Sequence, residues 1–191
     1  MQAFMIGAPA SEPVTLEEAK AWLRVDSVDE NATILGLIAA ARGAVEQATG
    51  RALVTQSWRI VLDAWPQPSH GLCVVALPIG PTQSVSAMRV FDVAGVAQIV
   101  APAAYELVGA ADSARVLLST ARPAPGRPFA GIEIDCVVGY GAPAATPAPL
   151  RQAILDIVAE RFEHRGDARA ESLLSPETRA RLHPYRRARL A

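Results

Sequence analysis

A double change of hydrophobic period constrains this chain more than any other feature. Apolar side chains recur every three to four residues over 13–50, alternate with polar ones in short runs over 53–139, and return to helical spacing over 150–162. Such a chain can be neither all-α nor all-β, because helical stripes and half-buried strands must each cover an apolar face. Thr15-Leu-Glu-Glu18 has the form of a capping box, with Thr15 accepting from the third helical amide and Glu18 reaching back to the cap amide. Leu16, Ala19, Trp22 and Leu23 then share one face. Ser27-Val-Asp-Glu30 offers a second capping box ahead of a stripe at Ile34, Leu35, Leu37, Ile38, Ala41, Val45 and Ala48. Gly50 is placed to end that helix in a left-handed conformation. Two capped helices with a short link predict an αα-hairpin over 13–52.

In the middle, Trp58, Ile60 and Leu62 alternate with Ser57, Arg59 and Asp63, which marks a half-buried strand. The turn cluster Trp65–Gly71 follows, and Leu72–Leu77 reads as the returning strand. Further short strands are expected at Val85–Phe91, Val96–Val100, Tyr105–Val108 and Val116–Leu118, with a polar break at Asp112-Ser113. Ile132, Ile134, Cys136 and Val138 alternating with Glu133 and Asp135 give the strongest strand pattern of the chain. Links this short exclude helical crossovers, so the strands of the 53–139 insertion are expected to pair antiparallel.

The proline-rich stretch Gly139–Pro149 is a stiff linker. Thr146 is placed to cap the next helix, with Pro147 at its first position, Leu150, Ile154, Ile157, Val158 and Phe162 as its buried stripe and Gly166 as its end. That gives a core helix over 146–166 and a tail over 167–191, in which Ser175-Pro176 resembles the cap and first turn of one more short helix. The expected fold is therefore α+β: a helical hairpin and a long C-terminal helix forming one core, an antiparallel β-rich lobe inserted between them, and an extended tail, all in one structural unit.

Charge is distributed unevenly around a net of −1. Residues 1–50 carry seven acidic side chains against three basic, whereas residues 151–191 carry nine basic against six acidic. A chain polar from end to end suits a body that meets different partners at its two ends. Cys73 and Cys136 lie inside apolar strand runs and read as free buried thiols. No apolar run approaches the roughly 18 residues of a membrane span. Residues 1–10 lack the basic start and the length of a secretory leader, so a cytosolic product is expected.

Catalytic patterns are lacking: the sequence holds no Gly-x-Ser-x-Gly elbow, no Gly-rich phosphate loop and no paired-histidine metal motif. Glu160, Glu163 and His164 are the best metal-like grouping, but one helix supplies only part of a metal shell, and Arg161 and Arg165 can pair with those carboxylates. His70 sits in a turn, and Trp22, Trp58 and Trp65 fall on or beside apolar faces, where packing accounts for them. No cofactor and no metal is expected. The C-terminal segment is the exception, with Arg179, Arg181, Arg186, Arg187 and Arg189 interleaved with Tyr185 and Leu190. A solvated charge run and a phosphate-binding arm both fit the arginines; the apolar anchors among them suit a partner protein's groove.

The whole layout, two N-terminal helices at Pro13–Gly50, a β-rich middle, the long helix from Pro149 to Phe162 and an arginine-rich tail, resembles the head–tail connector (adaptor) proteins of long-tailed bacteriophages and gene transfer agents. The resemblance implies a non-enzymatic virion protein that forms a twelve-copy ring, extends the DNA channel, and is assembled in the bacterial cytoplasm into the particle neck. Its implied partners are the portal protein, a stopper or tail-completion protein, further copies of itself, and DNA passing without sequence-specific binding; a membrane is not among them. Portal attachment would fall to Arg179, Arg181, Tyr185, Arg186, Arg187, Arg189 and Leu190. Three rivals remain on the sequence alone: another tail-completion component, a nucleic-acid-binding protein using the arginine tail, and a small ligand-binding or enzymatic α+β domain.

Overall fold

A computed structural model describes residues 1–68, 71–109, 114–119, 122–165 and 174–187. Its fold is mixed α+β, and the chain divides into two units. The first comprises residues 1–9 and 55–139, the second residues 10–54 and 140–191.

Among the described residues the first unit holds eight strands: β1 (Gln2–Gly7), β2 (Gln56–Leu62), β3 (Cys73–Ala76), β4 (Thr82–Phe91), β5 (Ala97–Ile99), β6 (Tyr105–Val108), β7 (Arg115–Leu118) and β8 (Ile132–Val138). They form a five-stranded sheet in the order β1-β2-β8-β4-β5 and a three-stranded sheet in the order β3-β7-β6, with every pairing antiparallel. The alternation legible in the sequence sets the inward face: Ile60, Leu62, Met88, Val90, Ile132, Ile134, Cys136 and Val138 are all buried. Cys73, Val75, Val116 and Leu118 do the same in the smaller sheet.

Strand pairing departs from the expected hairpin. Leu72–Leu77 does not return along β2; its central part is β3, which pairs with β7. β2 lies instead between β1 and β8. Charge on the other face explains the choice, because the register sets Arg59 opposite Asp135 and Arg89 opposite Glu133. Arg59 grips both Asp135 oxygens (2.7 and 3.0 Å), and Arg89 adds a third bond at 2.7 Å. β3 has no charged residue to offer β2. The strand β1 itself goes unmarked in the sequence, for most of its side chains on both faces are exposed and no alternation develops.

The second unit contains α1 (Leu16–Leu23), α2 (Asn31–Thr49), α3 (Ala148–Glu163) and α4 (Pro176–Leu182). The Thr15–Glu18 capping box forms, with Glu18 N donating to Thr15 Oγ1 (3.1 Å) and Thr15 N to Glu18 Oε2 (2.8 Å). Gly50 ends α2 at φ +70°, as its position requires. Ile34, Ile38, Ala41 and Val45 of α2 and Leu150, Ile154, Ile157 and Val158 of α3 share one core with Val14, Ala19 and Leu53, and Leu37, Ala48 and Phe162 pack half-buried against it. Two stripe members turn outward instead: Trp22 and Leu35 are exposed.

The other two expected caps are not used. Ser27 Oγ accepts from Asp29 N (3.2 Å), two residues on, so the bond closes a local turn and the helix starts later, at Asn31, behind an uncapped Glu30. The chain's one lysine organises this loop: Lys20 Nζ donates to Asp26 O (3.2 Å), Ser27 O (2.9 Å) and Asn31 Oδ1 (3.0 Å). Thr146 is committed elsewhere, its buried hydroxyl donating to Leu53 O (2.9 Å), and Pro147 becomes the residue before the helix. A buried carbonyl without a partner costs more than an uncapped amide at a helix end that water can reach. Gly166 and Asp112-Ser113 lie outside the described residues.

Candidate partner-binding surface

The C-terminal segment is folded rather than extended. Ser175 caps α4 by accepting from Thr178 N (3.3 Å), and Pro176 takes the first helical position, as its missing N–H allows. Only Thr178 and Leu182 point inward from this seven-residue helix, and both are buried; Leu182 joins the core of α2 and α3 at 1% exposure. A 3₁₀ turn at His183–Tyr185 then lays the half-buried Tyr185 against the same core.

Arg51 fastens the segment. It is 8% exposed, and its Nε donates to Tyr185 O (2.6 Å) while Nη1 donates to Tyr140 Oη (3.2 Å). Arg187 N donates to Thr49 O (3.0 Å) and so occupies one of the carbonyls that a helix end leaves open. The Arg187 stem lies over Gly50, where an added Cβ would meet its Cδ at 3.6 Å. Following a helix-ending glycine, Arg51 draws no attention in the sequence; the available signal is that it is the one charged side chain in the run 48–54.

The seven residues assigned to a partner therefore divide. Arg181 pairs with Asp156 of α3 (3.3 Å), and Tyr185 and Arg187 are held by their own fold. Arg179 and Arg186 are exposed, and both line a pocket of about 290 Å³ together with Ala48, Leu174 and Leu182. Arg189 and Leu190 lie outside the described residues, as does His70. The arrangement can seat an apolar side chain beside a carboxylate, and among the described residues its lining holds no nucleophile and no general base.

The remaining candidates carry no comparable geometry. Glu160, Glu163 and His164 are exposed, and His164 Nδ1 lies 2.9 Å from Glu160 O of its own helix. Arg165 pairs with Glu30 (2.7 Å) and stacks over Phe162, not with the carboxylates expected. Among the described residues no three His, Cys, Asp or Glu side chains are grouped to hold a metal ion. Burial pushes the Cys136 thiol up to about 12, and Cys73 also moves up through burial, so neither supplies a thiolate near neutral pH. Burial pushes the Asp135 carboxyl up, but hydrogen bonds from Arg59 and Arg89 outweigh it and hold the group below the usual aspartate range. Among the described residues no helix is long and apolar enough to cross a membrane.

Among the described residues, the C-terminal segment offers two exposed arginines beside a pocket with an apolar lining, and no catalytic grouping accompanies them. No protein-family model matches it, and no curated protein does. Solved structures are more informative. The chain is similar over its full length to 98% of a chain in the virion of the native gene transfer agent particle, with TM-score 0.82 and 29% identity. It is similar, again over 100% of itself and 98% of the other chain, to one in the neck of the empty particle computed with C6 symmetry, at TM-score 0.81 and 30% identity. A chain in the neck of the native particle computed with C12 symmetry gives 0.74 and 29% over the same shares. Such identity along both whole chains is homology, and this chain belongs to the family of those gene transfer agent neck chains. Those relatives are structural parts of a particle.

Proposed function

We propose that the chain is a head–tail adaptor, a non-enzymatic structural protein that forms a ring between the portal and the tail of a phage-like particle and extends its DNA channel. One observation carries this reading: the likeness over both whole chains to chains of gene transfer agent necks. The six-fold and twelve-fold symmetries of those necks support a ring of twelve copies, closed by one heterologous contact repeated around an axis. A stopper or tail-completion protein takes the far face of the ring, and DNA passes without sequence readout. With Arg181 ion-paired and Arg187 lying over Gly50, the C-terminal arginines are poorly arranged to neutralise a run of phosphates. The protein is assembled in the bacterial cytoplasm and works in the virion neck.

Of the seven residues, portal attachment is assigned first to Arg189 and Leu190, which follow the docked segment in sequence and lie outside the described residues. The test is a chain that ends at Arg187. It should keep its unfolding free energy within about 0.5 kcal/mol if residues 188–191 serve attachment and not the fold. It should fail to join portal rings in pull-down and leave DNA-filled heads without tails. Portal joining at the full chain's level refutes the attachment site. A full chain that ignores the portal but binds duplex DNA with a steep salt dependence would replace the adaptor reading altogether.

A further inference from the structure

The helical unit carries, at one end of α2, a surface that complements the socket at the other. Among the described residues, the large apolar side chains this unit leaves most exposed are Trp22 (49%), Val28 (72%) and Leu35 (47%). All belong to the stretch where α1 ends, the loop turns and α2 begins. Asp26 and Asp29 flank Val28 and are exposed, whereas Glu30 is taken by Arg165. Lys20 fixes the loop from beneath through its three hydrogen bonds, so this acidic, apolar-tipped knuckle is held ready rather than ordered on contact.

The socket answers it in shape and in charge. Its floor is Ala48, Leu174 and Leu182, and its rim is Arg179 and Arg186. Helix electrostatics alone would favour acids near the start of α2 and cations near its end. It does not account for a valine left almost wholly in water between two aspartates, nor for an apolar floor between two arginines.

We infer that Val28 of one copy seats in the Ala48–Leu174–Leu182 pocket of the next, with Asp26 and Asp29 facing Arg186. This inference rests on the ring reading and names the contact that closes the ring. A chain cannot make the contact with itself, because Asn31 and Ala48 stand seventeen residues apart on one straight helix, about 25 Å at 1.5 Å per residue. Two different patches at opposite ends of a rigid element give a heterologous, head-to-tail interface, which propagates until rotation closes it.

Cross-linking of the full-length chain tests the contact. In a V28C/A48C chain treated with a short bis-maleimide, the buried Cys73 and Cys136 stay unreacted and the two new thiols link successive copies. A ladder of dimer, trimer and higher species is expected, weaker at high salt because the rim charges are exposed. Each single-cysteine chain should stop at the dimer. Within that background Asp29→Arg or Arg186→Glu should cut the ladder about tenfold, and the two together should restore it to within about threefold. Absence of the ladder, a ladder that ends at the dimer, or one unmoved by Arg186→Glu overturns the proposal. If the ladder fails while the chain still joins portals, the adaptor reading stands and this contact falls. If the ladder forms but portals are ignored, the contact stands and the adaptor reading falls.

Discussion

Leu182→Ala separates a docked C-terminal segment from a loose one. Leu182 is 1% exposed and belongs to the same core as Ile38, Ile154 and Val158. The substitution removes three carbon groups, which at about 0.8 kcal/mol for each buried methylene is about 2.4 kcal/mol of lost transfer free energy. A cavity term adds to this, and leucine-to-alanine changes in cores span about 2–5 kcal/mol in all. Leu182 also floors an open pocket, so its neighbours can relax into the gap and the cavity term stays small. The expected loss is therefore about 2.5–3.5 kcal/mol. Urea titration followed by the helical circular-dichroism signal should show the midpoint falling with an unchanged slope. An extended tail would make the substitution a surface change worth less than about 0.5 kcal/mol. A loss that small would refute the docking of α4, and with it the pocket that Leu182 helps to build.

Two further expectations concern buried charge. Arg51→Ala should cost about 2–3 kcal/mol by leaving Tyr185 O without its charged donor, and limited proteolysis should then release the segment after Leu174 much faster; unchanged cleavage would mean Arg51 is not the fastener. Asp135→Asn should cost about 1–3 kcal/mol at pH 7, discounted because Arg59 and Arg89 remain partly exposed. The folded carboxyl titrates below the ordinary 3.8, so its contribution is complete above that value and disappears as pH falls through the lower folded one. The gap between wild type and variant should therefore close in strong acid, and a gap constant down to pH 2 would contradict the ion network.

Local rules made much of this fold legible, and long-range competition hid the rest. The Thr15 cap, the α2 stripe, Gly50, the alternation of β8 and the Ser175-Pro176 start of α4 each follow from neighbours within a few residues. Thr146 looked equally local, yet its hydroxyl answers to a carbonyl 93 residues away. The partner of β2 was decided by charges on β8, and sequence proximity pointed to the wrong strand. The docked tail stayed hidden because its inward positions, Thr178, Leu182 and Tyr185, are outnumbered by arginines in a segment too short to show a period. For the seven site residues, composition singles out the segment but does not say which side chains its own fold takes up, as it does Arg181, Tyr185 and Arg187.

On the adaptor reading, docking also bears on where a portal would be met. With Arg187 fixed over Gly50, Leu190, three residues on, can lie at most about 10 Å away, at roughly 3.3 Å per extended residue. On the adaptor reading, a portal contact made through Arg189 and Leu190 would lie that close to the end of α2, beside Arg186. Two contacts so near each other on one segment should be thermodynamically coupled: a portal that holds the chain end also restrains the rim, and less freedom is then lost when the next copy arrives. Coupling of about 1 kcal/mol already raises occupancy roughly fivefold, within the usual range for linked sites. Portal rings added to the V28C/A48C chain should therefore raise its cross-linked ladder several-fold, whereas the chain ending at Arg187 should keep the basal ladder and lose the rise. An equal rise with the shortened chain would show that portal and neighbour act independently, and the ring would then owe its closure to copy number on the portal alone.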